Sequence, residues 1–315
     1  MLNITVKELA DKIAGNIGKV IYGKDEEIRL VLTAMLAGGH ILLDDIPGTG
    51  KTSLARALAK SISADVKRVQ FTPDLLPSDL TGINFYNQKE GRFEFRQGPV
   101  FTNVLLADEI NRTTPRTQSA LLECMGEAQT TIDGKTYDLA PPFFVIATQN
   151  PVESQGTFPL PEAQLDRFLM RLTLGYPDEK NEIAILDGYK NDSPLDSLGA
   201  VAASADIIDA MNKVRDIKVS ESVKAYIVAI VNGTRNNARI RLGVSPRGTL
   251  ALMRASQSYA AIMGRDHVIP DDVKAVAVPT LAHRIIARSQ NTIRLSETNK
   301  TVIELVIDTV PAPVQ

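Results

Sequence analysis

The sequence predicts an α/β fold: a five-stranded parallel sheet covered by helices, followed by a smaller all-α unit. Three observations carry this expectation. Short apolar runs alternate with helix-like segments through the first half of the chain, the pattern of a sheet buried on both faces. One of these runs opens into a glycine-rich turn ending in Gly50-Lys51-Thr52, a loop type that joins a strand to a helix. After Tyr176-Pro177 strand signals nearly vanish and helical periodicity takes over.

Residues 40–43 form the first predicted strand, and a helical pattern begins near Thr52. Residues 66–71 read as a second strand and 104–107 as a third. Thr114-Pro115 then starts a helix, with proline at its first position. Residues 143–147 are a fourth strand and 168–174 a fifth. Two segments break the alternation. Residues 82–99 alternate with period two at Phe93 and Phe95 and read as a hairpin insertion, and residues 129–139 contain Asp133-Gly134, a strong hairpin signal. Beyond Tyr176, residues 222–231 read as a helix ending at Asn232-Gly233. Ser245-Pro246 opens another, with Leu250, Leu252 and Met253 expected to face inward, and Asp271-Asp272 open a third. Residues 191–204 read as a loop. The expected division is an α/β core over 1–176 and a helical lid over 177–315.

Composition narrows the function. At 315 residues, 44% hydrophobic and 23% charged, the chain can bury a core without staples. A formal net charge of −2 argues against a dedicated nucleic-acid surface, which leaves a basic excess. The single Cys124 cannot form an internal disulfide and reads as a buried, inert thiol. The amphipathic N-terminus lacks a signal-peptide core, and no apolar run is long enough to span a membrane. A cytosolic protein is expected.

Chemistry concentrates at strand ends. In the stretch Asp44 to Thr52, Gly48 and Gly50 let the backbone approach phosphates, Lys51 reaches the terminal ones and the Thr52 hydroxyl reaches Mg²⁺. Pro47, Thr49 and Ser53 complete the candidate nucleotide-binding run. The full pattern wants a glycine where this chain has Asp45, whose carboxylate should therefore point away from phosphate. Residues 104–107 run straight into Asp108-Glu109. Paired carboxylates at the end of a buried strand need a cation or water: Asp108 is expected to hold Mg²⁺ through water, and Glu109 to polarise the attacking water. The strand over 143–147 delivers Asn150, a candidate for orienting that water. Arg167 precedes the fifth strand and Arg247 opens a lid helix. Either can be a surface ion-pairing residue, or a cation for the charge that develops in phosphoryl transfer. His40, His267 and His283 lack ligand spacing and read as structural.

These pieces, in this order, resemble the AAA+ ATPases, specifically the MoxR family. The resemblance rests on RVQFTPDLLPSDLTG, LLADEINRTTPRTQSALLECMGE, PFFVIATQNPVESQGTFPLPEAQLDRF and SPRGTL, and extends from about Val20 to the C-terminal end. It implies ATP and ADP as ligands with Mg²⁺, ATP hydrolysis, and a ring, expected to be hexameric. By position it makes Asn150 sensor 1, Arg167 an arginine finger acting on a neighbour's ATP, and Arg247 sensor 2, with Arg112 and Arg171 as the alternatives for the finger. Val20, Ile21, Tyr22 and Gly23 would line the adenine pocket. The family implies chaperone-like maturation of protein partners, often von Willebrand factor A domain proteins. With no segment left for a separate recognition domain, client engagement is expected through residues 82–99 and 129–139. A DNA-associated motor, a magnesium-chelatase-like subunit and a small-molecule phosphotransferase are the competing readings. The near-neutral charge counts against the first, only partner identity separates the second, and Asp108-Glu109 suits water activation better than the third.

Overall fold

The computed structural model describes residues 4–150, 156–190, 193–288 and 295–313. Motif residues 151–155 and the first two residues of the expected loop 191–204 lie outside the described residues. Two helices lead in, α1 (Val6–Ile17) and α2 (Asp25–Leu36). Thr5 caps α1: its hydroxyl accepts from the Glu8 N–H while the Glu8 carboxylate accepts from the Thr5 N–H. The α/β part then runs β1 (Ile41–Asp44), α3 (Lys51–Ser61), β2 (Val66–Gln70), α4 (Pro77–Thr81), β3 (Gly82–Asn87), β4 (Arg92–Gln97), β5 (Val104–Asp108), α5 (Pro115–Glu127), β6 (Gln129–Ile132), β7 (Lys135–Asp138), β8 (Phe144–Gln149), α6 (Glu162–Leu165) and β9 (Met170–Leu172). The lid side runs α7 (Glu179–Gly188), α8 (Ser204–Arg215), α9 (Glu221–Arg235), β10 (Ile240–Leu242), α10 (Pro246–Ile262), α11 (Pro270–Leu281), β11 (Ile286–Ala287) and α12 (Leu295–Thr309).

The five expected strands are the five members of one sheet, in the order β2-β5-β8-β1-β9, all parallel. The near-continuous apolar character of β1, β5 and β8 follows from burial on both faces, whereas the edge strand β2 is mostly polar and exposed. Leu42, Leu105, Ala107, Val145 and Ala147 point to one core with Phe71, Leu121 and Phe168. Ile41, Leu43, Leu106, Phe144 and Ile146 point to the other, with α1, α2, α3 and the lid helices. Truncating a fully buried member such as Ile146 to alanine removes about 2–5 kcal/mol.

Both hairpins form. In β3–β4, Tyr86 lies opposite Phe93 and Asn84 opposite Phe95. In β6–β7, Asp133 and Gly134 turn with φ of 49° and 78°. The two join: Phe95 stacks on Tyr137 at 4.3 Å, and the Asn84 amide donates to the Asp133 carboxylate at 2.8 Å.

The lid departs from the sequence reading in three places. Helix α9 continues through Asn232-Gly233 to Arg235, because Gly233 is a packing contact: a Cβ there would lie 2.8 Å from Val306 of α12. Leu250 is exposed while Leu252 is buried, as residues two apart on a helix face nearly opposite ways. Helices α7 and α8 were not expected; α7 buries no residue, so it shows no apolar stripe to read.

Candidate functional site

In a parallel sheet all strands end on one edge, and that edge gathers the expected site. At the end of β1, Gly48 and Gly50 adopt φ of 87° and 89°, backbone that a Cβ disfavours. Gly50 is the residue from which α3 begins. Lys51 Nζ donates to the carbonyls of Asp45 at 2.9 Å and Ile46 at 3.2 Å, bridging its own loop. The carboxylate of Asp45 turns away as expected. It is buried and accepts the N–H of Leu174 at 2.6 Å and of Gly175 at 3.2 Å, tying the loop to the end of β9.

Gln70, Asp108 and Thr148 come level across β2, β5 and β8. Asp108 is buried and accepts from the Thr148 hydroxyl at 2.6 Å and from Arg68 Nη2 at 2.7 Å. Glu109 sits in the left-handed region at φ 57°, strain of a kind that collects at functional sites. Its N–H donates to Thr148 Oγ1 at 2.9 Å, and its carboxylate accepts from Gln70 at 2.8 Å and Arg112 at 3.3 Å. Pro47, Gly48, Gly50, Lys51, Thr52, Ser53, Asp108, Glu109 and Asn150 line one cavity of about 400 Å³ together with Arg68 and Gln70. Sequence reasoning missed Arg68 and Gln70. They lie on a strand of mostly exposed polar residues, and their partners are some 40 positions away. This donor set fits nucleoside triphosphate with Mg²⁺: left-handed glycines and a lysine at a helix N-terminus for phosphates, and hard oxygens from Thr52 and Asp108 for the cation.

A second cavity of about 510 Å³ adjoins the loop and is lined by Val20, Ile21, Tyr22, Gly48, Thr49, Gly50 and Ser53, and by Tyr176, Ile185, Leu186 and Tyr189 on the lid side. It suits a purine, with apolar walls and few polar groups. Gly23 does not line it. A Cβ at Gly23 would lie 2.1 Å from the Asn181 amide, so this glycine lets the start of α7 approach. Tyr176 and Leu186 are more than two-thirds exposed, the signal that marks this wall. A cavity of about 500 Å³ in the lid, beside Lys218, Ser222 and His267, includes none of the expected site residues.

Arg167 and Arg247 line neither of the first two cavities. The register explains why for Arg167. Met170 pairs with Ile41, the first residue of β1, so Arg167 precedes the amino edge of the sheet while the phosphate loop follows the carboxyl edge. The strand between them spans about 13 Å. Arg167 is exposed and donates to the Leu122 carbonyl at 2.7 Å. Arg247 is also exposed, in the first turn of α10. The two alternatives pair within the chain, Arg171 with Asp44 and Arg112 with the site residue Glu109.

The carboxylate of Asp166, next to Arg167 in the chain, accepts from Arg284 Nε at 2.8 Å and from the hydroxyl of Ser245, two residues before Arg247, at 3.1 Å. Burial pulls the Arg284 guanidinium down to about 10, with Asp166 opposing the shift and Arg247 adding to it; it is cationic at neutral pH. His283 is buried against the Phe168 carbonyl, and burial lowers it well below the usual histidine range. His40 is buried between the Val145 N–H and the Met125 carbonyl, and burial lowers it to about 4. His267 is exposed beside Asp266. Cys124 is buried, and burial raises its thiol to about 11.

The chain matches two family models: the ATPase family associated with various cellular activities (AAA) over residues 40–170, and the AAA lid domain over 232–305. It is 50% identical to the protein YeaC of Bacillus subtilis, over 98% of this chain and 96% of that one. It is 36% identical to Chaperone MoxR1 of Mycobacterium tuberculosis, over 94% of this chain and 80% of the relative. Protein MoxR of Paracoccus denitrificans is 31% identical, over 93% of each. The crystal structure of a Cytophaga hutchinsonii protein described as an ATPase is 39% identical and superposes with a TM-score of 0.88, covering 98% of this chain and 96% of its own. Among the described residues no helix is long and apolar enough to cross a membrane.

Proposed function

Because the chain belongs to the MoxR family of AAA ATPases, we propose that it hydrolyses Mg²⁺-bound ATP at sites shared between adjacent subunits of a ring, and uses that cycle to remodel protein partners. The observation that carries the ATPase reading is the gathering of Lys51, Thr52, Asp108, Glu109 and Asn150 around one cavity, although they come from three different strand ends. The phosphate loop and Lys51 hold the β- and γ-phosphates, for which Lys51 gives up the carbonyls of Asp45 and Ile46. Thr52 and Asp108 hold Mg²⁺, which neutralises phosphate charge when bound. Glu109 leaves Gln70 and Arg112 to accept a hydrogen bond from the attacking water, and Asn150 fixes that water from the neighbouring strand. Ile21, Tyr22, Ile185 and Tyr189 enclose the base.

The amino-edge position of Arg167 supports action on the ATP of the adjoining subunit, since its own loop is a strand's length away. Arg247, two residues from Ser245, which bonds Asp166 beside Arg167, is assigned the same role. We place the division between α/β core and lid at Tyr176, and six subunits in the ring. Likeness to a relative named Chaperone MoxR1 supports remodelling of protein partners, with von Willebrand factor A domain proteins as the partner class.

Glu109→Gln tests the assignment. The variant keeps the phosphate cradle, so it retains ATP, and turnover falls roughly 10²–10⁴-fold. Lys51→Ala loses nucleotide affinity instead. Equilibrium binding of a fluorescent ATP analogue beside steady-state phosphate release separates the two, and parent-rate release by Glu109→Gln would remove the general-base role.

A further inference from the structure

We propose that Asp166, with Arg284 and Ser245 bonded to its carboxylate, is a positioning residue that presents Arg167 and Arg247 as one rigid pair to the nucleotide of the adjoining subunit; this rests on the shared-site reading above. Asp166 touches no phosphate itself. Its two carboxylate oxygens are split between two lid elements: Oδ1 takes the Arg284 Nε–H at 2.8 Å and Oδ2 takes the Ser245 hydroxyl at 3.1 Å.

Each of those bonds controls one arginine. Ser245 is the N-cap of α10, accepting the Gly248 N–H at 3.3 Å, and Arg247 sits in the turn this cap holds. Arg284 grips the other segment by its backbone. Its Nη2 donates to the carbonyls of Asp166 at 3.2 Å and Phe168 at 2.6 Å, and its Nη1 to that of Leu169 at 3.1 Å. Arg167 thus lies within a run of four residues of which the other three are tied to one buried guanidinium. The Arg284 side chain is only 2% exposed, so these bonds form where water does not compete and the geometry is stiff. The second carbonyl Nη1 reaches, that of Thr280 in α11, anchors the guanidinium to the lid.

A single carboxylate therefore couples a core segment at position 166 with lid segments at 245 and 284. Movement of the lid carries both arginines together, and a shift of about 1 Å in a phosphate-facing cation is enough to lower turnover by about 10²-fold.

The test is subunit mixing. Asp166→Asn is expected to bind ATP in its own loop as the parent does, and to lose about 10²-fold in turnover at saturating ATP when assembled alone. Mixed with Lys51→Ala subunits, which have no working loop but intact arginines, it recovers activity, because the mixed interface pairs a good loop with a well-presented pair. A lesion that merely loosens the fold is not rescued this way. Arg167→Ala mixed with Lys51→Ala is the control. Rescue in the control without rescue of Asp166→Asn overturns the positioning role alone. Absence of rescue in both overturns the shared site and this inference with it. Ser245→Ala leaves the ion pair intact and is expected to show the same pattern at about threefold. If Asp166→Asn does not fold, Ser245→Ala decides, and parent-like turnover there overturns the proposal.

Discussion

The carboxyl edge of the sheet and its amino edge are built in opposite ways. At the carboxyl edge every functional group follows directly from a strand: Lys51 and Thr52 after β1, Asp108 and Glu109 at β5, Asn150 after β8. The groups there also engage one another within the chain, Arg68 with Asp108 and Gln70 with Glu109. At the amino edge, Arg167, Ser245 and Arg284 come from three distant segments, and two arginines are held out at an exposed surface. On the reading proposed above, one edge is a site that needs ligands and the other is half of a site that needs a second subunit.

The largest effect should come from dividing these halves. Arg167→Ala is expected to lower turnover about 10³-fold while nucleotide still binds its own loop. Phosphate release and analogue binding on the same preparation check both parts. Should Arg167→Ala turn over at the parent rate, the amino edge is not catalytic and the contrast fails.

The next effect concerns acid. His40 lies at the amino edge, at the start of β1, and its carbonyl accepts the Leu169 N–H at 2.8 Å. Burial holds its folded-state pKa at about 4, against about 6.5 in an unfolded chain. The folded pKa is depressed, so the unfolded state takes up the proton first. Stability is therefore full above about pH 6.5 and is lost as pH falls towards 4, by about 3 kcal/mol from this residue. His283, lowered in the same sense, adds to the loss. Denaturant midpoints at pH 7 and pH 5 should show it, and His40→Asn should flatten the slope. A pH-independent midpoint between 7 and 5 would contradict the buried neutral ring.

How legible each edge was in the sequence follows from the same contrast. Gly48, Gly50, Lys51 and the Asp108-Glu109 pair announce themselves because local backbone geometry and local chemistry demand those residues at those places. Arg68 and Gln70 face the same cavity unannounced, since only the parallel pairing of β2 with β5 brings them to Asp108 and Glu109. Arg284 was invisible for a stronger reason: its value depends on a carboxylate 118 residues away. Helix α7 escaped because it packs no apolar stripe, and Gly233 misled because a glycine that admits a neighbouring helix looks like one that ends its own.

A smaller effect sharpens the account of the carboxyl edge. Arg68 neutralises Asp108 where the cation is to bind, so Arg68→Gln is expected to tighten Mn²⁺, used in place of Mg²⁺, by about fivefold in the ADP complex, roughly 1 kcal/mol for a pair whose arginine is half exposed. Electron paramagnetic resonance titration of Mn²⁺ reads this without turnover. Weaker Mn²⁺ binding would show that Arg68 supports the site rather than competing for it.

The smallest effect on stability, and the one that sets both edges apart from the rest, is expected at the hairpins. Phe93 is 72% exposed and meets Tyr86 edge-on at 5.3 Å, whereas Phe95 is stacked on Tyr137. Phe93→Ala should change stability by no more than about 0.5 kcal/mol and leave ATP turnover as in the parent, because it touches neither edge. Phe95→Ala removes the stacked part of the joint between the hairpins and should cost more, about 1–2 kcal/mol. Yet each hairpin leads directly into a strand that ends in the site, β4 into β5 with Asp108 and β7 into β8 with Asn150. Nucleotide should therefore alter the hairpins' hydrogen exchange. Comparing Glu109→Gln with and without ATP checks this, and any partner favouring the ATP state must tighten ATP by the same factor. Identical exchange of both hairpins in the two states would separate them from the nucleotide cycle and leave the two edges as the whole of the machine.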